Sequence, residues 1–181
     1  MRALAISATL LFAALLFAAA LAVADPLPAP LTPAGSGKLQ CYAPNTAAKT
    51  CKSLAGYKSR ADGAIDNSAI VLISASPAIT METVSPVVIK AGRVCGKVEE
   101  RDIDTAKFTV GPTQLDQQQA EPLRQQLRQA FQKIFGHELC TAYVPEGGVL
   151  VAKATMDGAP MGVPDEQVIW VAPDEGYSVS P

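Results

Sequence analysis

Residues 115–136 read LDQQQAEPLRQQLRQAFQKIFG, and the class of the fold turns on this stretch. Leu123, Leu127, Phe131 and Ile134 recur at spacings of three and four, with Ala130 and Phe135 beside them. Gln125, Arg128, Gln129 and Gln132 take the opposite side. That is the pattern of an amphipathic helix with one apolar stripe. Pro122 suits a first turn, which places the ordered start near Gln119 to Glu121, while Asp116 is able to cap an earlier turn. Gly136 is a natural stop, and Arg128 and Lys133 in the later half suit the helix dipole.

On either side of this helix the pattern changes to short apolar or alternating runs. KLQCYA (38–43), NSAIVLISA (67–75), ITMETV (79–84) and VVIKAGRVCGKVEE (87–100) read as strands, with NSAIVLISA fully buried and a turn or bulge at Gly92. TCKSLAGYKS (50–59) reads as a strand or an irregular segment. TAKFTV (105–110) stops at Gly111-Pro112, and after the helix come ELCTAYV (138–144), VLVAKATM (149–156) and QVIWVA (167–172). Pro145-Glu146-Gly147-Gly148 and Asp157-Gly158 supply the turns between them. One long helix among many short strands predicts an α+β fold: a mainly antiparallel β-sheet with one principal amphipathic helix packed on a face, stabilised by disulfides.

The first 24 residues have a separate job. Arg2 precedes an uninterrupted Ala/Leu-rich run that ends in Ala22-Val23-Ala24, just before Asp25. A short positive start, an apolar stretch and a small-x-small end make a secretory signal peptide, cleaved after Ala24. The run is long enough to span a bilayer, but no basic stop-transfer flank follows, so no stable membrane anchor is expected after cleavage. Losing Arg2 leaves the remainder one unit more negative than the whole chain's −2. Residues 25–37, DPLPAPLTPAGSG, hold four prolines and two glycines and read as a disordered leader. A single domain is expected over 38–181, with PDEGYSVSP as a flexible tail. The Ala-rich export signal fits a periplasmic or extracellular destination.

Export decides the chemistry open to Cys41, Cys51, Cys95 and Cys140. An even count in an exported chain reads as a disulfide framework, and we expect Cys41–Cys51 and Cys95–Cys140. Structural zinc would need Cys pairs two to four residues apart, and a redox centre would need Cys-x-x-Cys. Neither spacing occurs, so no metal and no cofactor is expected.

Catalytic patterns are incomplete. GRVCGKV (92–98) has one residue too few between its glycines for a phosphate-binding loop, and Val98 stands where magnesium needs a hydroxyl. HELCT (137–141) starts like a zinc-protease helix but has Thr141 in place of the second histidine. No Gly-x-Ser-x-Gly elbow is present for a nucleophilic serine, and His137 is the only imidazole. Glu99, Glu100, Asp102 and Asp104 are the remaining acid–base candidates, and a small hydrolase using them, with His137, is the alternative function.

Charge is unevenly spread. Lys38, Lys49, Lys52, Lys58 and Arg60 fill residues 38–60 without an acid, whereas the segment after His137 is acidic apart from Lys153. Two explanations compete. The basic stretch meets an anionic envelope component or an acidic envelope protein, or it faces the acidic C-terminal part within the chain. Nucleic acid is disfavoured by net charge and compartment. The expected function is therefore non-catalytic: binding or structure, with Tyr42, Lys49, Lys52, Lys58 and Arg60 as binding residues. In that reading the stapled loop between Cys41 and Cys51 is displayed, and Lys49 is the residue an inhibitor of an envelope enzyme would insert.

Overall fold

The sheet made by these strands closes on itself. The computed structural model describes residues 26–181; the signal peptide expected at 1–24 lies outside the described residues. Eight antiparallel strands form a barrel: β1 (Leu39–Tyr42), β3 (Ser53–Ser59), β4 (Ile65–Ala75), β5 (Ala78–Lys90), β6 (Arg93–Lys97), β9 (Glu138–Glu146), β10 (Val149–Met156) and β12 (Glu166–Val171). Around the circumference the order is β4-β3-β1-β12-β10-β9-β6-β5, and the β4–β5 pairing closes the ring. This overturns the expected α+β arrangement of an open sheet with a helix on one face.

The extra elements sit outside the ring. β2 (Thr50–Cys51) pairs in parallel with β13 (Ser178–Val179). A short helix α1 (Glu100–Asp104), β7 (Lys107–Val110), β8 (Thr113–Gln114) and α2 (Gln117–Phe131) lie between β6 and β9, and β11 (Ala159–Pro160) extends β10.

β5 explains much of the departure. It runs through Pro86 without a break and changes partner along its length. Ile79–Glu82 pair with β7, whereas Val87–Lys90 pair with β6. Pro86 falls in the interval between the two pairings, where a missing N–H loses no ladder bond on that side. The buried strand expected at 67–75 is instead half-exposed: its inward positions are Asn67, Ala69 and Val71, and Ile70 on the outer face is 39% exposed.

The helix forms, two residues earlier than Pro122 suggested. Asp116 Oδ1 accepts the Gln119 N–H at 2.9 Å, and Gln119 Oε1 accepts the Asp116 N–H at 3.0 Å. This reciprocal cap satisfies the first turn and outweighs the preference of proline for the first position. α2 does not cover a sheet face. Leu123, Leu127 and Phe131 pack with Met81, Ile103 and Phe108, beside α1 and β7. Arg124 lies over the fully buried Phe108 ring, 5.6 Å from its centroid, and donates to the Ala106 carbonyl at 3.1 Å. Burying a side chain such as Phe108 stabilises by about 1.5–3 kcal/mol.

Both ends of the described chain are packed. Leu27, Leu31 and Ala34 join Ile65, Val87 and Val94, with Tyr57, Ile89, Tyr143 and Trp170 against them. Leu31 has no exposed surface, and a 3-10 turn at Thr32–Ser36 follows it. The proline-rich segment expected to be an unpacked leader is therefore a plug in one end of the barrel. The C-terminal tail is held as well: Tyr177 and Val179 pack on Cys41, Cys51, Leu54 and Val171. Both expected disulfides are present, Cys41–Cys51 and Cys95–Cys140, and the second links directly opposed residues of β6 and β9. Two disulfides point to an oxidising, non-cytoplasmic location. Among the described residues no helix is long and apolar enough to cross a membrane.

Candidate functional site

The strand register dictates what fills the barrel. Alternation puts Gln40 and Tyr42 of β1 inside and sends Leu39 and Cys41 outside. The same parity turns Ala55 and Tyr57, Asn67 and Ala69, Thr83 and Ser85, Gly96, Thr141 and Tyr143, and Ala152 and Ala154 inward. Alanine and glycine alternate here with long polar side chains. An eight-stranded barrel has an interior just wide enough for side chains or one small ligand. The small residues leave a cavity of about 250 Å³.

Its floor is a hydrogen-bonded hub. Gln40 Oε1 lies 3.1, 2.8 and 3.0 Å from the hydroxyls of Tyr42, Tyr57 and Tyr143. Tyr42 and Tyr143 hydroxyls also bond each other, and Tyr57 lies 3.4 Å from Tyr143. Tyr42 and Tyr143 rings meet edge to face, with centroids 6.4 Å apart. A carbonyl oxygen has two lone pairs, so three hydroxyls around it must also share protons among themselves. The buried Gln40 Nε2 has no partner among the described residues. Burial, reinforced by the neighbouring phenols, pushes the Tyr42 and Tyr57 hydroxyls well above their ordinary pKa, so both stay neutral. The hub joins β1, β3 and β9 across the lumen, although β9 pairs with neither of the others.

Walls and roof mix apolar side chains, among them Val87, Val94, Leu139 and Ile103, with polar ones. Asn67 donates to the Gly56 carbonyl at 3.2 Å. Thr83, Ser85 and Thr141 line the cavity, and their hydroxyls form no hydrogen bond within it among the described residues. Asp102 of α1, only 8% exposed, reaches the opposite end from the hub's plug. Next to the lumen, and sharing Tyr42 and Thr141 as walls, lies an open cleft of about 740 Å³ formed with Ala152, Ala154, Glu166 and the segment around Pro164. The lumen is thus plugged at one end by Leu27 and Leu31, covered at the other by Asp102 and Ile103 of α1, and shares Tyr42 and Thr141 of its side wall with the open cleft.

The expected site residues do not gather into one surface. Tyr42 is in the hub. Lys49 donates to the Glu175 carbonyl at 2.8 Å, Lys52 approaches Glu166 at 3.9 Å, and Arg60 pairs with Asp62 at 3.1 Å and Asp66 at 3.5 Å. Lys58 is exposed on β3. The Lys49 and Lys52 contacts join the basic N-terminal part to the acidic C-terminal part. The four carboxylates of the hydrolase alternative separate too. Asp102 faces the lumen, Asp104 pairs with Arg128 at 2.6 Å outside it, and Glu100 is exposed. His137 sits on the surface with Asp157, 2.5 Å away. No group of three or more His, Cys, Asp or Glu able to hold a metal ion occurs among the described residues.

Gln40, Tyr57 and Tyr143 are the residues that sequence reading passed over. The available signal was Gln40 and Tyr42 straddling Cys41, two polar side chains at strand spacing around a residue committed to the other face. Comparison with protein-family models, curated proteins and solved structures found no match.

Proposed function

We propose that this is an exported, non-catalytic binding protein of the periplasm or extracellular space that takes a small polar molecule into its barrel. The observation that carries this reading is the partly polar lumen: a tyrosine–glutamine floor below the hydroxyls of Thr83, Ser85 and Thr141, which have no hydrogen-bond partner among the described residues, beside an open cleft. A folded barrel stabilised by core packing alone would fill that space with aliphatic side chains. Preformed polar groups around a concave space are what small-ligand sites require. The scatter of Asp102, Asp104 and His137 over separate surfaces supports binding over hydrolysis, because acid and base must meet at one reacting atom.

Filling the lumen tests the reading. The disulfide-intact protein is dialysed against a small-molecule extract of the cell envelope and examined by native mass spectrometry. A discrete mass adduct is expected on the wild type and none on Ala154→Phe, whose ring enters the barrel beside Thr141, its cross-strand partner and part of the wall that lumen and cleft share. A wild type without an adduct, or an Ala154→Phe protein carrying the same one, would overturn the proposal.

A further inference from the structure

We infer that the lumen is a site for a small organic cation, a primary ammonium held between the Asp102 carboxylate and the hydroxyl-lined wall. This rests on the lumen being a ligand site and names the chemistry it selects. Asp102 is a buried carboxylate that lines the cavity. Its Oδ2 accepts the Glu99 N–H at 2.9 Å in the reciprocal cap of α1, which is a neutral partner and leaves the charge unbalanced. No lysine or arginine there pairs with it, in contrast to Asp104 on the same short helix, which has Arg128. Buried carboxylates ordinarily have a cationic partner, because an isolated charge away from water is costly.

The other charges around the lumen do not supply one. Lys97 touches the cavity, but strand alternation turns its exposed side chain to the outer face, beside Glu138 and Asp157. Lys52, at the neighbouring cleft, is nearest Glu166. Across from Asp102 the lumen offers the oxygens of Thr83, Ser85 and Thr141 and a floor of phenols. An ammonium has three N–H donors and no acceptor, so it matches one carboxylate and a set of hydroxyl oxygens. An anion is disfavoured because a second negative charge near Asp102 meets like-charge repulsion.

The test uses three probes of one shape: propylammonium chloride, 1-propanol and sodium propionate. Each is titrated into the disulfide-intact protein at neutral pH and constant ionic strength, followed by amide NMR shifts at Thr83, Ser85, Gly96 and Thr141. Propylammonium should bind at least about tenfold more tightly than 1-propanol, a difference of about 1.4 kcal/mol, and propionate should leave the lumen unshifted. Asp102→Asn keeps an oxygen for the Glu99 N–H and removes the charge, so it should reduce propylammonium to the level of 1-propanol. If 1-propanol or propionate binds the lumen as well as propylammonium, the charge assignment is wrong while the lumen remains a ligand site. Retained preference in Asp102→Asn also overturns it. If no probe shifts the lumen, the cation site is refuted, and the adduct experiment on Ala154→Phe decides separately whether the lumen binds anything.

Discussion

The Tyr57 hydroxyl donates to Gln40 Oε1 at 2.8 Å, linking adjacent strands at the point where Tyr143 enters from across the barrel. Gln40 is fully buried and is the acceptor on which all three tyrosines converge. Gln40→Leu keeps much of the volume but strands the hydroxyls, so a loss of roughly 1–3 kcal/mol is expected. Tyr57→Phe removes a single donor and should cost about 1 kcal/mol. Urea midpoints of the two variants, at unchanged slope, check the order. A Gln40→Leu protein as stable as wild type would show that the hub does not support the fold.

Leu31 belongs to the barrel's energetics although it precedes the first strand. Leu31→Ala should destabilise by about 2–5 kcal/mol, the range for a buried leucine whose site cannot collapse. Amide exchange should accelerate selectively around Ile65, Val87 and Val94, which the plug covers. Uniform exchange with an unchanged urea midpoint would mean the segment does not close the barrel.

The two disulfides close loops of different length, with separations of 10 for Cys41–Cys51 and 45 for Cys95–Cys140. In the chain-entropy account they contribute about 2.7 and about 4 kcal/mol. Paired Cys→Ser replacement of each bridge, read by denaturation without reductant, should therefore favour the longer loop. Because Tyr177 and Val179 pack on the shorter bridge, its loss should also expose the C-terminal residues to protease first.

Asp157 provides a pH signature. A hydrogen bond with His137, and then one from the Glu138 N–H, holds its carboxyl below the ordinary aspartate value of 3.8. A lowered folded pKa contributes stability that is complete above the unfolded value and lost as pH falls through the folded one. The difference in Tm between wild type and Asp157→Asn should thus be constant above about pH 5 and shrink as acid is added below 3.8. A difference that persists at the lowest pH would contradict the linkage. Asparagine tolerates the left-handed backbone here, where φ is 49°, so the comparison isolates charge.

Local features were readable because local chemistry determines them. The Leu123–Leu127–Phe131 stripe, the turns at Gly92 and Asp157-Gly158, and both cysteine pairs follow from periodicity, glycine and compartment. Closure was not readable, since it depends on β4 meeting β5 along its whole length while β5 divides its other edge between β6 and β7. Nothing in a run of alternating residues states how many neighbours it will find. The plug was hidden by its composition: prolines suggested solvent, whereas Leu27, Leu31 and Ala34 at spacings of four and three already marked one apolar side. In the site, tyrosine reads equally well as core or as polar surface, and only the register that brings Tyr143 to Gln40, 103 residues away, distinguishes them.

The β1–β12 seam ties Leu39–Tyr42 to residues near the far end of the chain, up to Val171. A polypeptide synthesised N-terminus first has no complete ring to shut until that last stave is made, and long-range pairing of this kind is slow to form. Closure of the ring is therefore a late event in folding, because the stave beside the first strand is supplied by residues 166–171.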